Sequence, residues 1–139
     1  MNKKIISIMG LVILIVACVS MVIFSRNVIK LNNIENVSII IKDENSNVVI
    51  SDLNDIKAFK KMLSKYPVSD SPSCPFGYVE IQMNQNDGKI IFFPATDGCH
   101  IIKTNNKYFH LSDNEWECLI LILKKYDIDR SLLESGKGI

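Results

Sequence analysis

The chain lacks the residue patterns that usually carry enzyme chemistry. It has only two histidines and four cysteines, and none of them form the compact Cys-x-x-Cys or His-x-x-x-His spacing of common zinc motifs. It also lacks a Gly-x-Ser-x-Gly elbow, a glycine-rich phosphate loop and a paired-acid signature. These absences disfavour an enzyme, and they indicate no cofactor.

An excess of positive charge is also missing. The 16 basic residues nearly balance the 15 acidic ones. Without Lys3, Lys4 and Arg26, which flank the first apolar run, 13 basic residues remain against 15 acidic ones, a net charge of −2. Nucleic-acid binding requires a concentrated basic surface, so this balance disfavours a nucleic-acid partner. The abundance of Asn, Ile and Lys is typical of an AT-rich bacterial genome.

Charged residues are absent from one long stretch, Ile5–Phe24, which is almost entirely aliphatic. A helix of that length would cover the ~30 Å hydrocarbon thickness of a bilayer. The stretch therefore predicts a transmembrane helix at residues 5–24, acting as a signal anchor. The chain would then be a single-pass protein of the cell membrane, with its C-terminal domain outside the cytoplasm.

Two other interpretations of this segment stay open, and both also export the rest of the chain. Ile15-Val16-Ala17-Cys18 resembles the lipobox of bacterial lipoproteins. That resemblance implies lipidation at Cys18, which would become the new amino terminus and a lipid anchor. Alternatively, a secretory signal peptide cut after Ser20 would release a soluble domain.

We expect four segments along the chain. Residues 1–26 are the membrane anchor or signal, and residues 27–36 are a juxtamembrane spacer. Residues 37–126 form the extracytoplasmic domain, since this length suffices for one modest core. Residues 127–139 are polar and glycine-containing, and we expect this tail to fray.

Alternating and β-branched runs, separated by turn residues, predict three hairpins and two helices. The predicted strands are Val37–Lys42, Asn47–Ile50, Tyr78–Met83, Lys89–Phe93, His100–Lys103 and Lys107–Leu111. One helix starts near Leu53 and stops before Pro67, and the other runs from a capping box at Ser112 to about Tyr126. The order ββα-ββ-ββα predicts an α+β domain, in which an antiparallel sheet carries both helices on one face.

Two cysteines flank the central hairpin: Cys74 precedes it and Cys99 follows it. If the hairpin folds back on itself, both loops reach the same end of the sheet. We therefore predict a Cys74–Cys99 disulfide, which would stabilise an exported domain by about 3.5 kcal/mol for a loop of ~25 residues. A free thiol pair and metal ligation are the alternatives.

A weaker metal hypothesis uses Asp97, Cys99, His100 and His110, with Cys74 as a further ligand. It depends on the register of the last hairpin. A two-residue turn at Asn105-Asn106 pairs Ile101 with His110 and puts the histidines on opposite faces. A three-residue turn pairs the two histidines directly. A thiol-dependent enzyme built on adjacent Cys99 and His100 is disfavoured, because neighbours in a strand point to opposite faces.

The last helix is apolar on all sides over Cys118–Leu123. Cys118 and Leu121 lie opposite its predicted inward face, so they are either deeply buried or an exposed contact patch. We predict a membrane-tethered extracytoplasmic interaction module with a protein or peptide partner. The alternatives are a small metal-binding or sensing lipoprotein using Cys99, His100 and His110, and a thiol-dependent enzyme.

Overall fold

The computed structural model describes residues 9–20, 29–42, 44, 46–68 and 70–138. Within these residues the strands are β1 Ile34–Ile41, β2 Ser46–Ile50, β3 Val79–Gln85, β4 Gly88–Pro94, β5 Ile101–Thr104 and β6 Lys107–His110. The helices of the domain are α1 Leu53–Leu63, α2 Asp113–Lys125 and a 3₁₀ helix, η1, at Arg130–Leu133. The six described strands form one antiparallel sheet in the order β2-β1-β3-β4-β5-β6.

Both long helices begin at capping residues, Asp52 before α1 and Ser112 before α2. The Asp52 carboxylate accepts hydrogen bonds from the backbone N–H of Asn54, at 2.9 Å, and of Asp55, at 3.1 Å. At the start of α2, the Glu115 carboxylate accepts the backbone N–H of Ser112 at 2.8 Å, which completes a capping box. These caps satisfy backbone donors that a helix start would otherwise leave unpaired.

The core lies between the helices and one face of the sheet. Alternate strand residues point into it, and they are fully or almost fully buried: Val37, Ile39, Ile81, Met83, Phe92 and Ile102. Phe59 of α1 and Trp116 of α2 join them in the same apolar cluster. The predicted α+β domain with an antiparallel sheet is therefore confirmed, as is its ββα-ββ-ββα order.

The first strand starts earlier in the chain than predicted. β1 begins at Ile34, inside the segment expected to be a spacer, and Leu31 just before it is only 1% exposed. The register of β1 against β3 shifts between Ile34 and Asn36, which marks a bulge or irregularity near the strand's start. The fold thus includes residues that their mixed composition had marked as a linker.

The predicted transmembrane helix is contradicted. Across the part of the chain that the structure describes, none of the helices combines the length and the apolarity needed to cross a bilayer. The described portion of Ile5–Phe24 is residues 9–20, which are helical and exposed. The predictions of a signal anchor and of a single-pass membrane protein with its C-terminal domain outside the cytoplasm depend on this helix and are contradicted as well. Residues 5–8 and 21–24 of the apolar run lie outside the described residues.

The C-terminal segment also differs from expectation, because most of it packs on the domain. Ile128 is 4% exposed and Leu133 is fully buried. η1 presents Leu133 to the core, and the Asp129 carboxylate caps this short helix through the backbone N–H of Ser131 at 2.7 Å. Burial of these two apolar residues therefore helps to anchor an otherwise polar stretch.

Candidate functional site

Two loops at one end of the sheet bring three metal-ligating side chains together. Cys74 lies in the loop before β3, and Asp97 and Cys99 lie in the loop between β4 and β5. Their sulfur and carboxylate oxygen atoms all lie within 4.8 Å of one another. Cys74 and Cys99 are half-buried and Asp97 is exposed, so solutes can reach the group.

Backbone hydrogen bonds hold the two loops in this arrangement. The N–H of Thr96 donates to the carbonyl of Pro75 at 3.1 Å, which joins the residues next to Asp97 and Cys74. The N–H of Gly98 donates to the carbonyl of Leu133 at 3.0 Å, and a φ of +78° makes glycine suited to that position. The N–H of Cys99 donates to Oδ1 of Asp97 at 3.2 Å. These hydrogen bonds hold in place the backbone that carries the two sulfurs and the carboxylate.

The electrostatics of the cluster keep the Cys99 thiol protonated. Hydrogen bonds with Cys74 and with the Asp97 carboxylate favour the neutral thiol, and together they raise the pKa of Cys99 to about 12. A thiolate is the reactive form of cysteine, so this environment is the opposite of the one that activates a nucleophile. None of the four cysteines forms a disulfide in the structure. The Cys74–Cys99 disulfide stays a prediction, made plausible by the meeting of the two loops.

The histidines are placed elsewhere. His110 pairs with Ile101 across the last hairpin, whose two-residue turn uses Asn105 and Asn106 at φ of 44° and 60°. This is the register that puts the histidines on opposite faces. His100 stacks on Trp116 with ring centroids 4.9 Å apart, and its Nδ1 lies 3.1 Å from the Asp113 carboxylate.

Among the described residues, the only close group of three or more metal-ligating side chains is Cys74, Asp97 and Cys99. Neither His100 nor His110 belongs to it. Cys99 and His100 are chain neighbours, but the His100 ring is engaged by Trp116 and Asp113. The structure thus brings together the cysteines and the aspartate of the sequence hypothesis and leaves out its histidines.

The face of the sheet opposite the core carries a polar network that the sequence indicated only through the alternation of β3. The Glu80 carboxylate lies 2.6 Å from the ammonium of Lys42 and accepts a hydrogen bond from Gln82 at 3.0 Å. Lys89 extends the row by donating to Gln82 at 3.1 Å. Burial opposes ionisation of Glu80, but the Lys42 and Gln82 contacts outweigh it and hold the pKa of Glu80 below its ordinary value.

The outer side of α2 carries the two residues predicted as a contact patch, Cys118 and Leu121. Leu121 is 65% exposed, whereas Cys118 is half-buried and packs against the edge of the core. A cavity of about 350 Å³ lies beside Leu121, between α2 and the segment that leads into η1. It is lined by Glu117, Ile120, Leu121, Lys124, Ile128, Asp129 and Arg130. Of the two predicted patch residues, Leu121 is thus available to a partner.

Cys18, the residue of the lipobox-like sequence, is exposed on the helix at residues 9–20. Lipidation there stays a prediction. No family model, curated protein or solved structure matches the chain.

Proposed function

We propose that the chain is a protein-binding module, and that it holds its partner in the groove beside Leu121. The observation that carries this proposal is the 65% exposure of a leucine at the rim of a cavity. Burying a leucine side chain that is exposed to water contributes about 1.5–3 kcal/mol. An exposed leucine next to a concave surface is therefore a suitable anchor for a complex.

The groove has the layout of a contact surface, with an apolar base and a charged rim. Ile120 and Ile128 line it and are themselves well buried, at 7% and 4% exposure. On the rim, Arg130 lies 3.0 Å from Glu117 and 2.6 Å from Glu134, which holds the segment after α2 against that helix. Interfaces commonly combine an apolar centre with such a polar rim.

The rim charges indicate what the partner presents. Asp129 is engaged as the cap of η1, and Arg130 is paired with two carboxylates. Lys124 is exposed on the rim and makes no salt bridge within the described residues. The best complement is a protein segment that inserts an aliphatic or aromatic side chain and places a carboxylate near Lys124.

The test uses a defined probe and the full chain. We would titrate the ¹⁵N-labelled protein with a peptide of alternating Leu and Glu, and with a matched peptide of alternating Leu and Lys. We expect the acidic peptide to shift the amide signals of Leu121, Lys124 and Ile128 and to bind more tightly than the basic one. Shifts spread over the whole surface, or equal binding of both peptides, would contradict the proposal.

Matched variants locate the contact. Leu121→Asp is expected to weaken binding of the acidic peptide by at least about 10-fold, or 1.4 kcal/mol. Leu53→Asp is the control, since Leu53 is 70% exposed at the start of α1. Both variants should keep a melting temperature close to that of the unmodified protein. A large loss of thermal stability in Leu121→Asp alone would show that this position belongs to the core instead.

A further inference from the structure

We propose that Cys74, Cys99 and Asp97 form a binding site for a thiophilic divalent cation such as Zn²⁺. This site is separate from the Leu121 groove, and its argument does not depend on the proposed protein-binding function. It rests on the convergence of two sulfurs and one carboxylate oxygen from two loops, all within 4.8 Å of one another.

The spacing suits tetrahedral coordination. Zn²⁺ binds cysteine sulfur at about 2.3 Å, so two thiolates on one tetrahedral ion lie about 3.8 Å apart. Small side-chain rotations about fixed backbone would bring Cys74 and Cys99 to that separation. Asp97 supplies the third ligand, and the exposed side of the cluster leaves room for a water as the fourth.

The surroundings resemble a supporting shell for such a site. Asp97 is oriented by the backbone N–H of Cys99 at 3.2 Å. The Thr96–Pro75 hydrogen bond at 3.1 Å fixes the separation of the two loops beside the ligands. A disulfide alone would need only the two sulfurs. The aspartate beside them is what points to a cation.

Binding is a proton exchange. Each thiol loses its proton to the solvent, and each sulfur donates an electron pair to the metal. Because two protons are released per ion, affinity should rise with pH, by up to about 100-fold per pH unit.

The experiment uses the full chain, reduced with a phosphine and transferred to buffer free of reductant and metal. Co²⁺ is the probe, because a cobalt–thiolate bond gives a charge-transfer absorption band that an oxygen-ligated ion lacks. We expect the band to saturate at one Co²⁺ per chain and to disappear when Zn²⁺ displaces it. Absence of the band in reduced protein would overturn the proposal and leave the two cysteines as a disulfide pair only.

Variants assign the ligands. Cys74→Ser and Cys99→Ser should each weaken binding by at least about 100-fold, and Asp97→Asn by about 10-fold. Cys118→Ser is the matched control and should bind Co²⁺ normally, with circular dichroism confirming the fold of every variant. A band that persists in the Cys74→Ser/Cys99→Ser double variant would place the thiolate at Cys18 or Cys118 and would overturn the assignment.

Discussion

The ammonium of Lys65 contacts the carboxylate of Glu115, which joins the end of α1 to the first turn of α2. The opposite ends are joined too, because Nζ of Lys125 lies 2.7 Å from the carboxylate of Asp55. The two helices are thus antiparallel neighbours, tied at both ends by pairs of opposite charge.

The Glu115 contacts make stability depend on pH. Burial opposes the charge of Glu115, but hydrogen bonds from Lys65 and Ser112 outweigh it and lower the pKa of Glu115 from 4.5 to about 2. A carboxyl with a lowered folded pKa stabilises the fold above its unfolded pKa, and this contribution is lost as pH falls toward 2. Glu115→Gln should therefore lower the free energy of unfolding at pH 7. The loss should be only about 1–2 kcal/mol, because solvent screens this partly exposed pair.

Urea unfolding between pH 7 and pH 2 checks this prediction. The difference in unfolding free energy between the unmodified protein and Glu115→Gln should narrow as pH falls from about 5 to 2. Glu35→Gln is the control, because Glu35 is exposed on β1, and its effect at pH 7 should stay under about 0.5 kcal/mol. A difference for Glu115→Gln that stays constant with pH would contradict the ion pair.

Thr104 is a buried polar residue whose hydroxyl has no hydrogen-bond partner in the described structure. Its side chain is fully buried on β5. Thr104→Val keeps the shape and removes the unsatisfied hydroxyl, so we expect a gain of about 1 kcal/mol in unfolding free energy. Thermal and urea unfolding measure the change.

Thr96 provides the matched comparison for that substitution. It is also fully buried, but its hydroxyl donates to the carbonyl of Lys137, and the carbonyl oxygen of Pro75 lies 3.4 Å from the same hydroxyl oxygen. Thr96→Val should therefore lower the free energy of unfolding by about 1–3 kcal/mol, because it leaves hydrogen-bond partners unsatisfied. If the free energy of unfolding changed in the same direction in both variants, the contrast between an unpaired Thr104 hydroxyl and a hydrogen-bonded Thr96 hydroxyl would be contradicted.

The packing of the C-terminal segment is tested at Leu133. This side chain is fully buried, so Leu133→Ala should cost about 2–5 kcal/mol of unfolding free energy. Leu53→Ala removes the same atoms from a side chain that is 70% exposed, and it should cost under about 1 kcal/mol. Equal costs in urea unfolding would mean that the segment frays, as its polar composition alone suggests.

Several features of the fold could be predicted from neighbouring residues. The alternation of Val79, Ile81 and Met83 indicated which side of β3 faces the core, and the structure buries all three. The capping box at Ser112 and Glu115 indicated where α2 begins. These are short-range features, because caps, turns and strand alternation are settled by residues a few positions apart.

The prediction of a membrane-spanning helix from the first apolar run was wrong. Its composition indicated a helix, and residues 9–20 are helical, but the expected membrane-spanning length is not found in the described residues. Composition reports that a stretch is apolar, but it does not by itself establish a helix long enough to cross a bilayer.

Periodicity and local hydrogen bonding predict the element order, the helix starts and the apolar face of each strand from the residues alone. The three-dimensional structure was needed to show that His100 and His110 lie on opposite faces, that Leu133 is buried and that Cys74, Asp97 and Cys99 converge. Such relationships depend on strand register and on which loops meet across the sheet. A shift of one residue in pairing changes them without altering any local pattern.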